Sequence, residues 1–376
     1  MAFLAALRLC EKPIDLSVFQ SSAMNKPHSP DTLALHADDG LEPLPDVAPP
    51  IRLAATYDAG NEEGLVYSRY QHPTRQRLER VLGALEGGHA VTYASGLAAT
   101  VAVLRHYRPR RVLIAAGYHG THQVLESLKP EGLQVLGPDA ESGEGDLIWI
   151  ETPKNPTCEL EDIAEQARRA HDAGARLAVD STFATPVLQL PLALGADLVM
   201  HSSTKFLAGH SDVLGGVLVV PDEAQSKALR DERAISGALP GSLEAWLTLR
   251  SLRTLSLRVR RQSDSAATIA AWLEPRVRKV WHPSLRSHPQ HALAARQMRG
   301  PGGVMSIELD DPESAQSLPS RLKLFRDATS LGGVESLIEW RRKHDPHAPP
   351  ALLRISVGLE DPEDLISDLE LGLART

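Results

Sequence analysis

An acid and an amine occupy comparable positions in one stretch of this chain. Asp180 follows an apolar run that ends at Val179, and Lys205 follows a second run, Leu198 to Met200, by way of His201-Ser202-Ser203-Thr204. A desolvated lysine amine can attack a carbonyl carbon and can act as a base. A carboxylate fixed opposite a ring nitrogen keeps that nitrogen protonated. Ser202 and Thr204 flank Lys205 with small hydroxyls that can donate to a phosphate. A lysine for a Schiff base, an acid for a pyridinium nitrogen and donors for a phosphate are the requirements of pyridoxal 5'-phosphate.

Such groups need rigid supports. A third apolar run, Val217 to Val220, follows Gly215-Gly216. Short apolar runs broken by Gly and Pro read as buried strands of an α/β sheet. Sheets of that kind carry their chemistry just beyond the carboxyl ends of the strands, where Asp180 and Lys205 fall. Further strands are expected at Val91–Tyr93, Val112–Ala115 and Leu147–Ile150, alternating with helices, which predicts a mostly parallel sheet. A helix capped by Thr74 presents Leu78, Val81, Leu82 and Leu85 on one face and ends at Gly87-Gly88. Another runs from Asp162 to Ala173. Ser242 to Glu274 is expected to be largely helical, with Leu243, Trp246, Leu247, Leu249, Leu252, Leu255 and Val259 buried and Arg250, Arg253, Arg258, Arg260 and Arg261 on a solvated face. Later strands are expected near Val277–His282, Val304–Leu309, Leu322–Phe325 and Leu352–Val357, with a closing helix from about Pro362.

The segment from Asp180 to Asp212 resembles the Cys/Met-metabolism (trans-sulfuration) pyridoxal-phosphate enzymes, whose pattern there is close to D-x-T-F-x-x-P-x-L-Q-x-P-L-x-x-G-A-D-x-V-x-H-S-x-T-K-x-x-x-G-H-S-D. The family includes cystathionine γ-lyase, cystathionine γ-synthase, cystathionine β-lyase and methionine γ-lyase. The likeness extends over about residues 50 to 372. It includes Tyr67-Ser68-Arg69, Ser95-Gly96-Leu97, Gly117-Tyr118-His119-Gly120-Thr121, Glu151-Thr152-Pro153-Lys154-Asn155-Pro156, the Ser330–Leu337 run and Leu353–Glu360.

The resemblance implies a pyridoxal-phosphate-dependent transferase fold of type I, α/β with a mostly parallel central sheet and a smaller α/β C-terminal domain. It implies that Lys205 carries the cofactor and acts as base, that Asp180 holds the ring nitrogen, and that Thr182 belongs to the same site. Ser95, Gly96, Leu97, Ser202 and Thr204 cradle the phosphate, joined by Tyr67 and Arg69 from a partner subunit. Tyr118 stacks on the ring and is placed to pass a proton to the leaving group. Asn155, Ser330, Glu335 and Arg354 face the substrate, with Arg354 on its α-carboxylate. A mid-strand arginine is costly to bury without a partner, which agrees with a ligand there.

Two departures stand out. His72 and His119 replace a family asparagine and glycine. After Glu335 the chain reads Ile338-Glu339-Trp340-Arg341-Arg342-Lys343-His344-Asp345 where the best-known members have a different pocket-lining segment, and this wording resembles a less characterised, mostly fungal branch. The expected activity is carbon–sulfur cleavage of L-cystathionine by γ-elimination. The alternatives are γ-replacement (cystathionine γ-synthase or O-acylhomoserine sulfhydrylase type), β-elimination and, more remotely, a non-catalytic cofactor-binding protein.

Length and composition agree. The 376 residues allow two or three domains: an arm-like or disordered extension over 1–50, in which Pro27, Pro30, Pro43, Pro45, Pro49 and Pro50 oppose regular helix, a cofactor domain over 51–250, with 51–74 reaching a partner subunit, and a small domain over 251–376. A net charge of −8 and the absence of a basic block argue against nucleic acid. Cys10 and Cys158 give no disulfide or metal spacing. No run suits a membrane span, and the N-terminus lacks the marks of a secretory signal, although a mitochondrial leader is a lesser alternative. A cytoplasmic homodimer or homotetramer without metal is expected.

Overall fold

Seven apolar strands build the first sheet: β1 (His89–Tyr93), β2 (Arg111–Ile114), β3 (Gln134–Leu136), β4 (Leu147–Glu151), β5 (Arg176–Asp180), β6 (Leu198–His201) and β7 (Gly216–Val220). The computed structural model describes residues 28–41, 45–115 and 117–374. The strand order is β1-β7-β6-β5-β4-β2-β3, and only β7 runs against its neighbours. Central strands covered on both faces need no polar side, which is why β4 to β7 are almost continuously apolar. Register aligns their ends: Glu151 lies opposite Asp180, and Asp180 opposite Met200. One edge of the sheet therefore collects Glu151, Asp180 and, just beyond β6, Lys205.

Helices cover this sheet and lead out of it: α1 (Pro30–His36), α2 (Pro73–Glu86), α3 (Gly96–Tyr107), α4 (His119–Leu128), α5 (Ile163–Asp172), α6 (Thr185–Leu188), α7 (Glu223–Ser236), α8 (Ser242–Leu252) and α9 (Leu255–Leu273). A second sheet follows, from β8 (Lys279–Trp281), β9 (Val304–Glu308), β10 (Arg326–Asp327), β11 (Leu337–Trp340) and β12 (Leu352–Ser356), in the order β10-β11-β12-β9-β8. It packs with α9, α11 (Pro312–Arg321) and α12 (Pro362–Leu373), whereas α10 (His291–Gln297) places Ala294 in the core of the first sheet. Arg354, mid-way along β12, is flanked by Glu339 on β11 and Ser306 on β9.

Several expectations are corrected. The proline-rich N-terminal part does form a helix at Pro30–His36. Pro30 sits in the first turn, where no N–H is needed, Ser29 Oγ accepts from Thr32 N, and Ala34 and Ala37 join the core. The rest of the expected extension up to residue 27, including Cys10 and any leader, lies outside the described residues. Thr74 is not the cap of α2. His72 takes that position, while Thr74 Oγ1 accepts from Arg52 N at 3.1 Å. The strand expected at Leu322–Phe325 falls instead at Arg326–Asp327, and Leu243 is exposed.

Arg258, expected on a solvated face, is buried. Its Nη1 donates to Phe206 O and its Nη2 to Ser251 O, both at 2.9 Å. It thus holds the backbone of the residue next to Lys205 from beneath. Arg258→Ala would leave both carbonyls without this donor, at a cost of about 2–4 kcal/mol. The midpoint of chemical denaturation should fall accordingly, and an unchanged midpoint would show that solvent replaces the guanidinium without loss.

Candidate active site

The end of β5 turns sharply through Ser181 and Thr182, and Asp180 makes that turn. Its Oδ1 accepts from Thr182 N at 3.0 Å and from Thr182 Oγ1 at 2.6 Å. The same hydroxyl accepts from Ser202 N at 2.9 Å, tying the end of β5 to the end of β6. Burial pushes the Asp180 carboxyl above its usual range. Across the register, Glu151 is pushed up to about 8 by burial and by the charge of Asp180. Two carboxylates in one enclosed place favour a cation between or beside them.

The sequence places Glu151 in the family-like run Glu151–Pro156 and gives it no role of its own. Its Oε2 accepts from Tyr118 N at 2.6 Å and its Oε1 from Asn155 N at 2.7 Å. One side chain at the end of β4 thereby fixes the loops that carry Tyr118 and Asn155. The signal was available, since an acid at the carboxyl end of a buried strand, one strand from Asp180, needs partners. Tyr118 opens α4 and is 39% exposed; His119 packs against its ring in an edge contact at 5.0 Å between centroids.

Lys205 sits in the tight turns after β6. Its Nζ donates to Ser330 Oγ at 2.9 Å. Burial, and after it the charge of Arg354, push the amine down to about 8. Ser330 reaches it from a loop with φ 80°, a left-handed conformation that a serine adopts at a cost. The loop comes this close because residue 332 is glycine. At φ 78°, a Cβ there would stand 2.7 Å from Phe206 N. Thr204 Oγ1 bonds both the N–H and the carbonyl of Gly215, pinning the lysine turn to the entry of β7.

The phosphate side is formed by the start of α3. Ser95 caps that helix, accepting from Ala98 N at 3.0 Å. Gly96 faces Ser202 so closely that a Cβ would lie 3.2 Å from the Ser202 side chain. Bare backbone opposite a hydroxyl, at a helix start with unpaired N–H groups, suits an anion. Leu97, the third expected residue of that cradle, is half-buried in the first turn of α3. The residues present therefore fit pyridoxal phosphate: an anion cradle, a buried acid and a partly desolvated amine on adjacent strand ends.

On the substrate side, Arg354 Nη1 donates to Asn155 Oδ1 at 3.0 Å and Nη2 to Ser330 O at 2.9 Å. Burial pushes its guanidinium down to about 10. Glu335 is half-buried, its Oε2 accepting from Ser211 Oγ at 3.3 Å. Hydrogen bonds thus link Lys205, Ser330, Arg354, Asn155, Glu151 and Tyr118 in one chain of contacts. Tyr67 and Arg69 stand apart from it. Both are exposed, with the guanidinium stacked at 5.1 Å over Tyr67 and 5.4 Å over Tyr70. Glu339 and Arg341, unassigned from sequence, lie behind Arg354. Among the described residues no cluster could hold a metal ion and no helix is long and apolar enough to cross a membrane.

A parallel sheet with this donor set at its carboxyl edge defines a pyridoxal-phosphate-dependent enzyme of fold type I. The chain belongs to the Cys/Met metabolism PLP-dependent enzyme family, whose model matches residues 31–374. It is 41% identical to a cystathionine gamma-synthase of Mycobacterium bovis, over 92% of this chain and 96% of that one. It is 38% identical to a cystathionine beta-lyase of Coxiella burnetii, over 93% and 99%, and 37% identical to a cystathionine gamma-lyase of Bacillus subtilis, over 91% and 98%. Among solved structures it superposes on CalE6, a cystathionine gamma-lyase from Micromonospora echinospora, with a TM-score of 0.87 at 39% identity, covering 92% of this chain and 99% of that one.

Proposed function

We propose that this protein cleaves the Cγ–sulfur bond of L-cystathionine. When bound, the cofactor supplies an electron sink for negative charge at Cα. Lys205 takes and returns the protons at Cα and Cβ, its amine being only weakly basic in this setting. Asp180 holds the ring nitrogen protonated. Arg354 and Asn155 orient the α-carboxylate, and Glu151 fixes the loops that position Tyr118 and Asn155. Tyr118 stacks on the ring and delivers a proton to the leaving sulfur. Ser95, Gly96, Leu97, Ser202 and Thr204 hold the phosphate, and Tyr67 and Arg69 complete it across a subunit boundary. That last role makes the working unit a homodimer, paired into a cytoplasmic homotetramer, and the exposure of both side chains supports it.

The observation that carries the choice of substrate is Glu335. It places a carboxylate on the loop that starts at Ser330 and touches Lys205. Cystathionine has a second ammonium beyond its sulfur, whereas methionine ends in a methyl group, so an acid here favours the former. Glu335→Ala should raise KM for cystathionine about fivefold to tenfold and leave a substrate without a distal ammonium nearly unaffected. Equal effects on both would remove Glu335 from this role.

The reading itself is tested by incubating the holoenzyme with L-cystathionine and identifying the oxo acid. Release of 2-oxobutyrate and cysteine supports γ-elimination, and pyruvate supports β-elimination. The second reading, γ-replacement, is favoured by the identity to relatives named cystathionine gamma-synthase. It predicts cystathionine formation from an O-acylhomoserine and cysteine, with little oxo acid from cystathionine.

A further inference from the structure

Behind the carboxylate subsite lies a buried charge cluster that the reaction does not use directly. Glu339 Oε2 accepts from Arg354 Nη2 at 2.5 Å and from Arg341 Nη1 at 2.8 Å. The three side chains are only 3%, 5% and 11% exposed respectively. Two enclosed cations therefore share one enclosed anion. His344 Nε2 stands 3.7 Å from the other oxygen of Glu339, at the exposed margin. Arg341 Nε is buried and without a hydrogen-bond partner. A surplus positive charge held away from water is costly unless an anion arrives to meet it.

The donor count agrees. A guanidinium has five N–H groups. Arg354 uses Nη2 for Ser330 O and Glu339 and one N–H of Nη1 for Asn155, so a second N–H of Nη1 and that of Nε are left over. The cluster is also felt at the reacting amine, which the charge of Arg354 pushes down and that of Glu339 pulls up.

We propose that Glu339 and Arg341 are specificity-determining residues of the carboxylate subsite. Glu339 fixes the Arg354 guanidinium and cancels one of the two positive charges. Arg341 leaves the cluster with the single positive charge that suits a monoanionic amino-acid carboxylate. Both residues act through Arg354 and are positioning residues. The inference rests on Arg354 taking the substrate carboxylate.

The test uses the holoenzyme and two probes, L-alanine and L-alaninamide, which differ in the carboxylate alone. Binding is read from the shift of the visible absorbance band, alongside kcat and KM for cystathionine. Arg341→Met should weaken L-alanine about tenfold and L-alaninamide less than about twofold, with KM rising and kcat held within about threefold. Arg341→Lys, which keeps the charge, should recover most of the loss. Glu339→Gln, whose amide oxygen still accepts from Arg354, should tighten L-alanine severalfold. Arg342→Met removes a charge from the exposed neighbour and should change neither probe. Opposite shifts from two residues in contact are not produced by general loss of folding.

Equal losses for Arg341→Met and Arg341→Lys, or equal effects on both probes, would overturn the proposal in favour of packing. Weaker L-alanine binding in Glu339→Gln would overturn the charge balance. Arg354→Lys separates the two levels of inference. If it leaves the ratio between the probes unchanged, the carboxylate role of Arg354 fails. If it collapses the ratio while the Arg341 and Glu339 variants do nothing, only the present proposal fails.

Discussion

Lys205→Ala is expected to lower kcat by about 10⁴-fold or more, because in the role we propose one amine serves as the attachment point and as the base at Cα. Its environment makes this amine unusually effective. With its proton affinity pushed down to about 8, roughly a tenth of the molecules carry a neutral amine at pH 7, against about three in ten thousand for an ordinary lysine. In the cofactor-free protein the capture of added pyridoxal phosphate should therefore slow about tenfold for each pH unit below about 8. Stopped-flow growth of the visible band measures this directly. A small primary amine added to Lys205→Ala should restore part of the turnover, since it replaces the base but not its placement. An alanine variant that turns over at the wild-type rate, or a capture rate that is flat across the range from pH 6 to pH 8, would remove Lys205 from both roles.

Asp180→Asn is expected to cost about 10²- to 10³-fold in kcat while the visible band of the bound cofactor persists, because Lys205 is untouched. The amide retains an acceptor for Thr182 N, so the turn after β5 is preserved and only the charge is deleted. In the cofactor-free chain Asp180 is held above the usual carboxylate range by burial, with Glu151 opposite it in register. In the role we propose, a protonated ring nitrogen beside Asp180 would reverse that, since a cation favours the charged form. Asparagine could not make that exchange and would not hold the nitrogen protonated. Turnover within about threefold of wild type would mean that another group holds the nitrogen, and Glu151 would be the next to replace.

The placement of Asp180 and Lys205 at the sheet edge was legible because it is local. Strand ends announce themselves as apolar runs that stop at a polar residue; Asp180 is such a stop, and Lys205 follows another, at His201. Arg354 was legible for a related reason, as a charge inside a strand must be met by something. Part of the answer is Glu339, fifteen residues earlier on β11, whose pairing with β12 no local pattern announces. Glu151 is hidden for a similar reason, since its partners are backbone N–H groups on loops, at Tyr118 and Asn155. Periodicity misplaced Arg258, since counting charges as outward fails when backbone carbonyls, here those of Phe206 and Ser251, are the partners. Proline content misled at α1, where Pro30 occupies the one helical turn that accepts it. Tyr67 and Arg69 are exposed in the single chain, which agrees with the role we propose for them across a subunit boundary.

Helix α9 belongs to both halves of the molecule. Leu255 and Val259 near its start lie in the core against the first sheet, and Ala266, Ile269, Ala270 and Leu273 further along lie in the core of the second. Arg258, within the first of these stretches, reaches back to the lysine turn. Among the described residues, a division of the chain near residue 250 therefore falls beside a helix that both cores share. A fragment ending before α9 loses the support beneath Lys205, and one beginning after it loses a wall of the second core. Shuffling the C-terminal part between relatives to alter substrate choice has to carry α9 whole, with Arg258 matched to the turn it supports.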